Sequence, residues 1–193
     1  MSSSSGVLLE RPRAAPLWVR AVQALSRVFG VASAGLILLS VFVICQMVFV
    51  RAVLGESSIW QTEFVIFAIV AATFLGAPYI LLTRGHVAVD VLPLMASTPI
   101  RRGLHLVGSL IALAFCGFFL YAAIPWWHEA FETGQTTPSI WKARVWIPYL
   151  SVPVGLGLLC LQFLAEIWLV ITGREAPFGM APKETVAAGE GAR

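Results

Sequence analysis

The sequence predicts an all-α polytopic membrane protein with four transmembrane helices and a short interfacial helix between the second and third. Four apolar stretches, roughly 29–50, 59–82, 104–124 and 146–171, take up nearly half of the 193 residues. At about 1.5 Å per residue, a 22-residue helix reaches roughly 33 Å, the thickness of a bilayer's hydrocarbon layer. The stretches are continuous rather than alternating. Lipid offers the backbone no hydrogen-bond partners, so these runs form helices and not barrel strands. Composition agrees: 59% hydrophobic and 12% charged residues is far from the balance of a water-soluble domain.

Taken in order, residues 1–28 read as a cytoplasmic tail. Its first 15 residues are rich in Ser, Arg and Ala without periodicity, and disorder is expected there. Pro16 opens a pattern in which Leu17, Ala21, Val22, Leu25 and Val28 share one face and Arg20, Gln23 and Arg27 the other. Two readings are open: a short amphipathic helix lying on the membrane, or an extension of the first span. The transmembrane domain covers 29–171. Its first apolar run is too long for a secretory signal and follows four Arg residues, so an uncleaved helix is expected. Only residues 51–58 separate the first two spans, with Gly55 and two Ser as turn material, and a tight antiparallel hairpin follows. In the second span Ala68, Ala72 and Gly76 recur every four residues, and the third offers Gly108, Ala112 and Cys116. Such stripes admit a neighbouring backbone, of this chain or of another subunit.

Between these spans, Asp90 is a good N-cap, Val91, Leu92, Leu94 and Met95 are apolar, and Thr98-Pro99 restarts a helix. The expected result is a helix in the interface, with Asp90, Arg101 and Arg102 meeting water and lipid headgroups. Pro125 is expected to end the third helix, leaving 126–145 as the largest segment on the other side. Gly173 and Pro177 close the fourth, and 172–193 reads as a disordered cytoplasmic tail.

Charge placement predicts orientation. Ten of the 13 Lys and Arg residues lie in the two tails and the middle loop, whereas only Arg51, Lys142 and Arg144 lie on the opposite side. By the positive-inside rule both termini are cytoplasmic. Trp60, Trp126, Trp127, Trp141 and Trp146 fall at the predicted outer interface and Trp18 and Trp168 at the inner one, as aromatic belts require. The basic residues follow membrane side and form no patch, so nucleic acid is not expected as a partner.

Few residues suggest chemistry. Glu63 is a carboxylate about one turn inside the second span, and Arg51 stands at matching depth across the hairpin, so a structural Arg51–Glu63 clamp is the favoured reading over plain interfacial solvation and over an ion or proton pathway. Arg84, His86 and Asp90 cluster at the inner exit of that span, where His86 and Asp90 would be i, i+4 neighbours; a hydrogen-bonded junction outweighs a metal site with His105. Gln46 reads as interhelical glue, and Glu166 with Gln162 as a snorkelling or helix-facing pair. Cys45, Cys116 and Cys160 lie singly in three spans, and the three His residues form no stacked pair for haem. No nucleotide loop or nucleophile–base arrangement is present, so neither enzyme nor cofactor is expected. Broken helices and internal repeats, from which carriers build midplane sites, are lacking too.

The order of features is familiar: Arg51, a short turn, Trp60-x-x-Glu63, Phe74-Leu75-Gly76-Ala77, then Arg84-Gly85-His86-Val87-Ala88-Val89-Asp90. Gly134-Gln135, Ser139, Trp146-Ile147-Pro148-Tyr149 and Val152-Pro153-Val154-Gly155 continue it. From about residue 29 to 171 the chain resembles the small integral-membrane (DctQ-type) subunit of tripartite ATP-independent periplasmic (TRAP) transporters. The resemblance implies a bacterial inner-membrane complex. A large DctM-type permease subunit carries substrate and coupling sodium, and a periplasmic binding protein delivers an organic acid such as a C4-dicarboxylate, with keto and sugar acids also open. The small subunit braces the large one within the lipid. It implies further that Arg51, Trp60 and Glu63 belong to an outer hairpin and Arg84, His86 and Asp90 to an inner junction. Glu129, Glu132, Lys142 and Arg144 are then candidates for docking the periplasmic protein. The competing reading is a free-standing proton-coupled exporter working through Glu63, which would want its carboxylate deeper.

Overall fold

A computed structural model of the chain describes residues 16–55, 59–83 and 98–173, the side chain of Thr98 excepted. Four helices account for most of these residues: α1 Leu17–Leu54, α2 Trp60–Leu82, α3 Thr98–Glu132 and α4 Trp146–Ile171. All four are long and apolar enough to cross a membrane. Apart from a single antiparallel bridge, Thr136 with Arg144, the described residues contain no β-structure. The interfacial helix expected before Thr98 lies outside the described residues.

One open choice is decided and one boundary differs from expectation. The 38-residue α1 runs unbroken through Phe29, so of the two readings of the pattern after Pro16 the helix follows the second, an extension of the first span, about 57 Å in all. Pro125 does not end α3, which continues to Glu132. A proline inside a helix leaves one carbonyl unpaired, here that of Tyr121, but close to the membrane surface water can take its place. α3 stops instead at Gly134, whose φ of 61° only glycine adopts freely. Gly134 N–H donates to Phe131 O and Gln135 N–H to Ala130 O, a Schellman termination.

α2 packs between α1 and α4, α4 packs between α2 and α3, and α1 also reaches α4. The contact face of α1 is a seven-residue rhythm: Val19, Ser26, Ser33 and Ser40 are buried, with Gly30 and Val43 beside them. That repeat is the seam of left-handed helix packing, and its small residues let helices approach. Burial leaves no hydroxyl unsatisfied, because Ser33 and Ser40 donate to Phe29 O and Leu36 O in their own helix, both at 2.8 Å, and Ser26 donates to Gln162 Oε1 of α4 at 3.2 Å.

The closest helix crossing joins a proline to a glycine. Pro78, fully buried inside α2, has no N–H for the carbonyl of Phe74 one turn earlier. α4 places Gly155 against that same carbonyl; a Cβ on Gly155 would lie 2.3 Å from Phe74 O. With hydrogens only, the glycine can offer a weak Cα–H···O contact to an oxygen its own helix has released.

Polar contacts fasten the helix ends. Gln46 and Gln61 hydrogen-bond across the α1–α2 hairpin, and Trp127 Nε1–H donates to Trp146 O at 3.2 Å between α3 and α4. At the opposite, terminal end, Trp18 and Trp168 meet edge to face and Val19, Ala165 and Leu169 form a small core. There Arg102 Nη2 donates to Val170 O at 2.9 Å and Ile171 O at 2.6 Å, tying the start of α3 to the last carbonyls of α4; Val170 O also accepts the backbone N–H of Gly173 at 3.2 Å. Arg102→Ala should therefore lower stability in detergent by about 2 kcal/mol, the scale of a charge-assisted hydrogen bond. Arg102→Lys should recover part of it, as read by thermal unfolding.

Candidate contact surfaces and the hairpin-end cap

Trp60 and Glu63 stand one turn apart on one face of α2, at its N-terminus, where the helix dipole favours a carboxylate. The expected Arg51–Glu63 clamp does not form: Arg51 is exposed in the last turn of α1, and Glu63 has another partner. Glu63 Oε2 accepts the hydroxyl of Thr137 at 3.0 Å, 74 residues away in the α3–α4 connection. At the end of α1 a cation already complements the negative helix terminus, so Arg51 needs no carboxylate to hold it there.

Thr137 is the hub of that connection. Its oxygen gives its proton to Glu63, accepts Ala143 N–H at 3.1 Å and lies 3.1 Å from Ser139 Oγ, which uses the full capacity of a hydroxyl. Its backbone N–H donates to Ala143 O at 2.9 Å, and Val145 N–H to Gln135 O at 3.2 Å. Residues 135–145 thus form a narrow looped cap, pinned to α2 by Glu63 and by Trp60, whose ring meets Trp141 edge to face at 6.4 Å. Ile140 at its tip is 88% exposed. Thr137 and Ser139 escaped the sequence reading as a pair because their role depends on a partner far away in the chain. Ser139 alone belonged to the familiar pattern.

The other candidates divide. Ala68, Ala72 and Gly76 are buried within the chain, with Gly76 facing Ser33 of α1. On α3, by contrast, Gly108 is exposed with open space where a Cβ would go. Glu129 and Glu132 are exposed near the end of α3, Glu132 lying 3.6 Å from His128. Lys142 and Arg144 are exposed at the rim of a cavity of about 430 Å³ between the cap and α2. Arg84, His86 and Asp90 lie outside the described residues. The broadest uncovered apolar faces belong to α1, with Val31, Leu38 and Phe42, and to α3, with Ile111, Phe115 and Phe118.

Residues 40–173, which include the hairpin, the cap and all of α4, match the family described as "Tripartite ATP-independent periplasmic transporters, DctQ component". The chain belongs to this DctQ family. It is 32% identical over 110 residues to the C4-dicarboxylate TRAP transporter small permease protein DctQ of Pseudomonas aeruginosa, covering 56% of this chain and 52% of that protein. The protein of the same name from Vibrio cholerae is 27% identical over 148 residues, 66% of this chain and 64% of its own length. That of Rhodobacter capsulatus is 29% identical over 110 residues, 57% and 48% respectively. The chain thus spans about half to two thirds of the length of these relatives. No solved structure matches it. The family is a transporter component, which is not an enzyme class, and the four membrane-length helices agree with a multi-pass membrane protein. The family match begins within α1, so Ser26, the partner of Gln162, lies outside it.

Proposed function

We propose that this chain is the small membrane subunit of a TRAP transporter that takes up an organic acid of the C4-dicarboxylate kind. In this reading it sits in the bacterial inner membrane with both termini in the cytoplasm and braces a large permease subunit, which carries substrate and sodium. A periplasmic binding protein delivers the substrate and docks on the cap and the adjoining end of α3, where Ile140, Glu129 and Glu132 are exposed. One observation carries the reading. Six polar side chains of the described spans are engaged in bonds between or within helices: Ser26 with Gln162, Gln46 with Gln61, Ser33 and Ser40 with their own backbone. Such a bundle is suited to holding position rather than to passing a charged solute. The relatives named above carry the C4-dicarboxylate TRAP name, which supports the substrate class.

Tagged small subunit, expressed with the neighbouring large subunit, should co-purify with it at equal stoichiometry in mild detergent. Proteoliposomes holding both should accumulate labelled dicarboxylate only with a sodium gradient and the periplasmic protein. Solute movement by this chain alone would overturn the reading.

A further inference from the structure

The cavity under the cap is a slot with two unlike ends. Its walls are apolar: Phe64, Phe67 and Ala71 of α2, Leu36 of α1 and Ile147 of α4. Phe64 to Ala71 is two helical turns, about 10 Å along α2, so the slot runs from the membrane surface toward mid-depth of one leaflet. At the surface end it is rimmed by Lys142 and Arg144. Both side chains are exposed and make no ion pair or hydrogen bond among the described residues. Lys142 moreover holds a φ of 48°, a left-handed conformation that costs a lysine and that glycine or asparagine would adopt more readily. The turn is kept there by Lys142 N–H donating to Ser139 O at 3.2 Å, and Ser139 is itself tied to the Thr137 hub.

Two unpaired cations above an apolar slot of about 430 Å³, a volume in the range of pockets that enclose a small molecule, are complementary to one amphiphile with an anionic head and a hydrocarbon tail. We infer that this slot binds a single anionic phospholipid from the leaflet bordering the cap, its phosphate between Lys142 and Arg144 and one acyl chain along Phe64, Phe67 and Ala71. This gives the two cations a ligand other than the periplasmic protein, and it does not depend on the transporter reading.

The test uses the full chain reconstituted into vesicles of equal parts phosphatidylglycerol and phosphatidylcholine, then returned to mild detergent, with retained lipids counted by native mass spectrometry. The wild type should keep one phosphatidylglycerol per chain, preferred over phosphatidylcholine about tenfold. The Lys142→Ala, Arg144→Ala double variant lies on exposed positions. It should lose the preference while circular dichroism and gel filtration match the wild type. Ala71→Phe, which fills the slot but leaves the cations, should lose the retained lipid altogether. Equal retention of the two lipids by the wild type, no retained lipid, or a preference unchanged in the double variant would each overturn the inference. So would unchanged lipid in a double variant that no longer binds the large subunit or the periplasmic protein, since the cations would then serve a protein partner.

Discussion

Gly155→Ala should part α2 from α4 and cost about 3 kcal/mol, the upper range for forcing one extra methyl into a packed site. The new carbon would lie 2.3 Å from the Phe74 oxygen and 2.5 Å from its carbonyl carbon. Both are backbone atoms of a helix held on its other side by α1, so no rotamer change relieves the collision. Gly157→Ala is the control: nothing lies within 4 Å of that position, and an alanine there should be neutral or slightly stabilising in a helix. Thermal unfolding in detergent should separate the pair clearly. Equal midpoints for the two variants would mean that α2 and α4 do not cross at Gly155.

The second large effect is expected at Glu63. Glu63→Ala removes the acceptor for Thr137 and leaves that hydroxyl pointing at a void, a loss of about 2 kcal/mol for a hydrogen bond to a charged group. Residues 135–145 should then become sensitive to limited proteolysis, and uptake by the complete transporter should fall severalfold while the large subunit still co-purifies. Glu63→Gln keeps an oxygen acceptor but cannot carry a proton. It should retain most of the uptake and a protease-resistant cap. If glutamine were as damaging as alanine, Glu63 would be acting through its charge or its proton, and the exporter reading would regain ground.

The span positions were legible because bilayer thickness and backbone hydrogen bonding leave few alternatives. α2 and α4 start and stop within one residue of the apolar limits. Orders of contact between helices were harder to read, because in lipid the outward face of a helix is as apolar as its inward one. For α1 the information was present as the Ser26, Ser33, Ser40 column, but a seven-residue rhythm of small polar residues is visible only when serine is read as a packing residue. Gln46 was recognised as interhelical glue, since an amide inside a span must find a partner nearby. Glu63 found its partner where proximity in sequence gave no hint: Arg51 is 12 residues away and unbonded to it, Thr137 is 74 away and bonded. Gly155 was seen as one letter of a familiar motif, while its reason, a carbonyl released by Pro78 on another helix, needs three-dimensional placement.

Among the described residues α4 packs against each of the other three helices. On the ribosome this imposes an order. The α1–α2 hairpin can close early through Gln46 and Gln61, but Ser26 waits for Gln162, the Phe74 carbonyl waits for Gly155, and Arg102 waits for Ile171. At a synthesis rate of about 5–20 residues per second, the 80 or so residues between α2 and the middle of α4 keep these groups waiting for several seconds. During that interval the nascent chain offers an open seam in the bilayer, on which an insertion chaperone could act and at which a quality-control protease could detect a chain cut short before its keystone arrives.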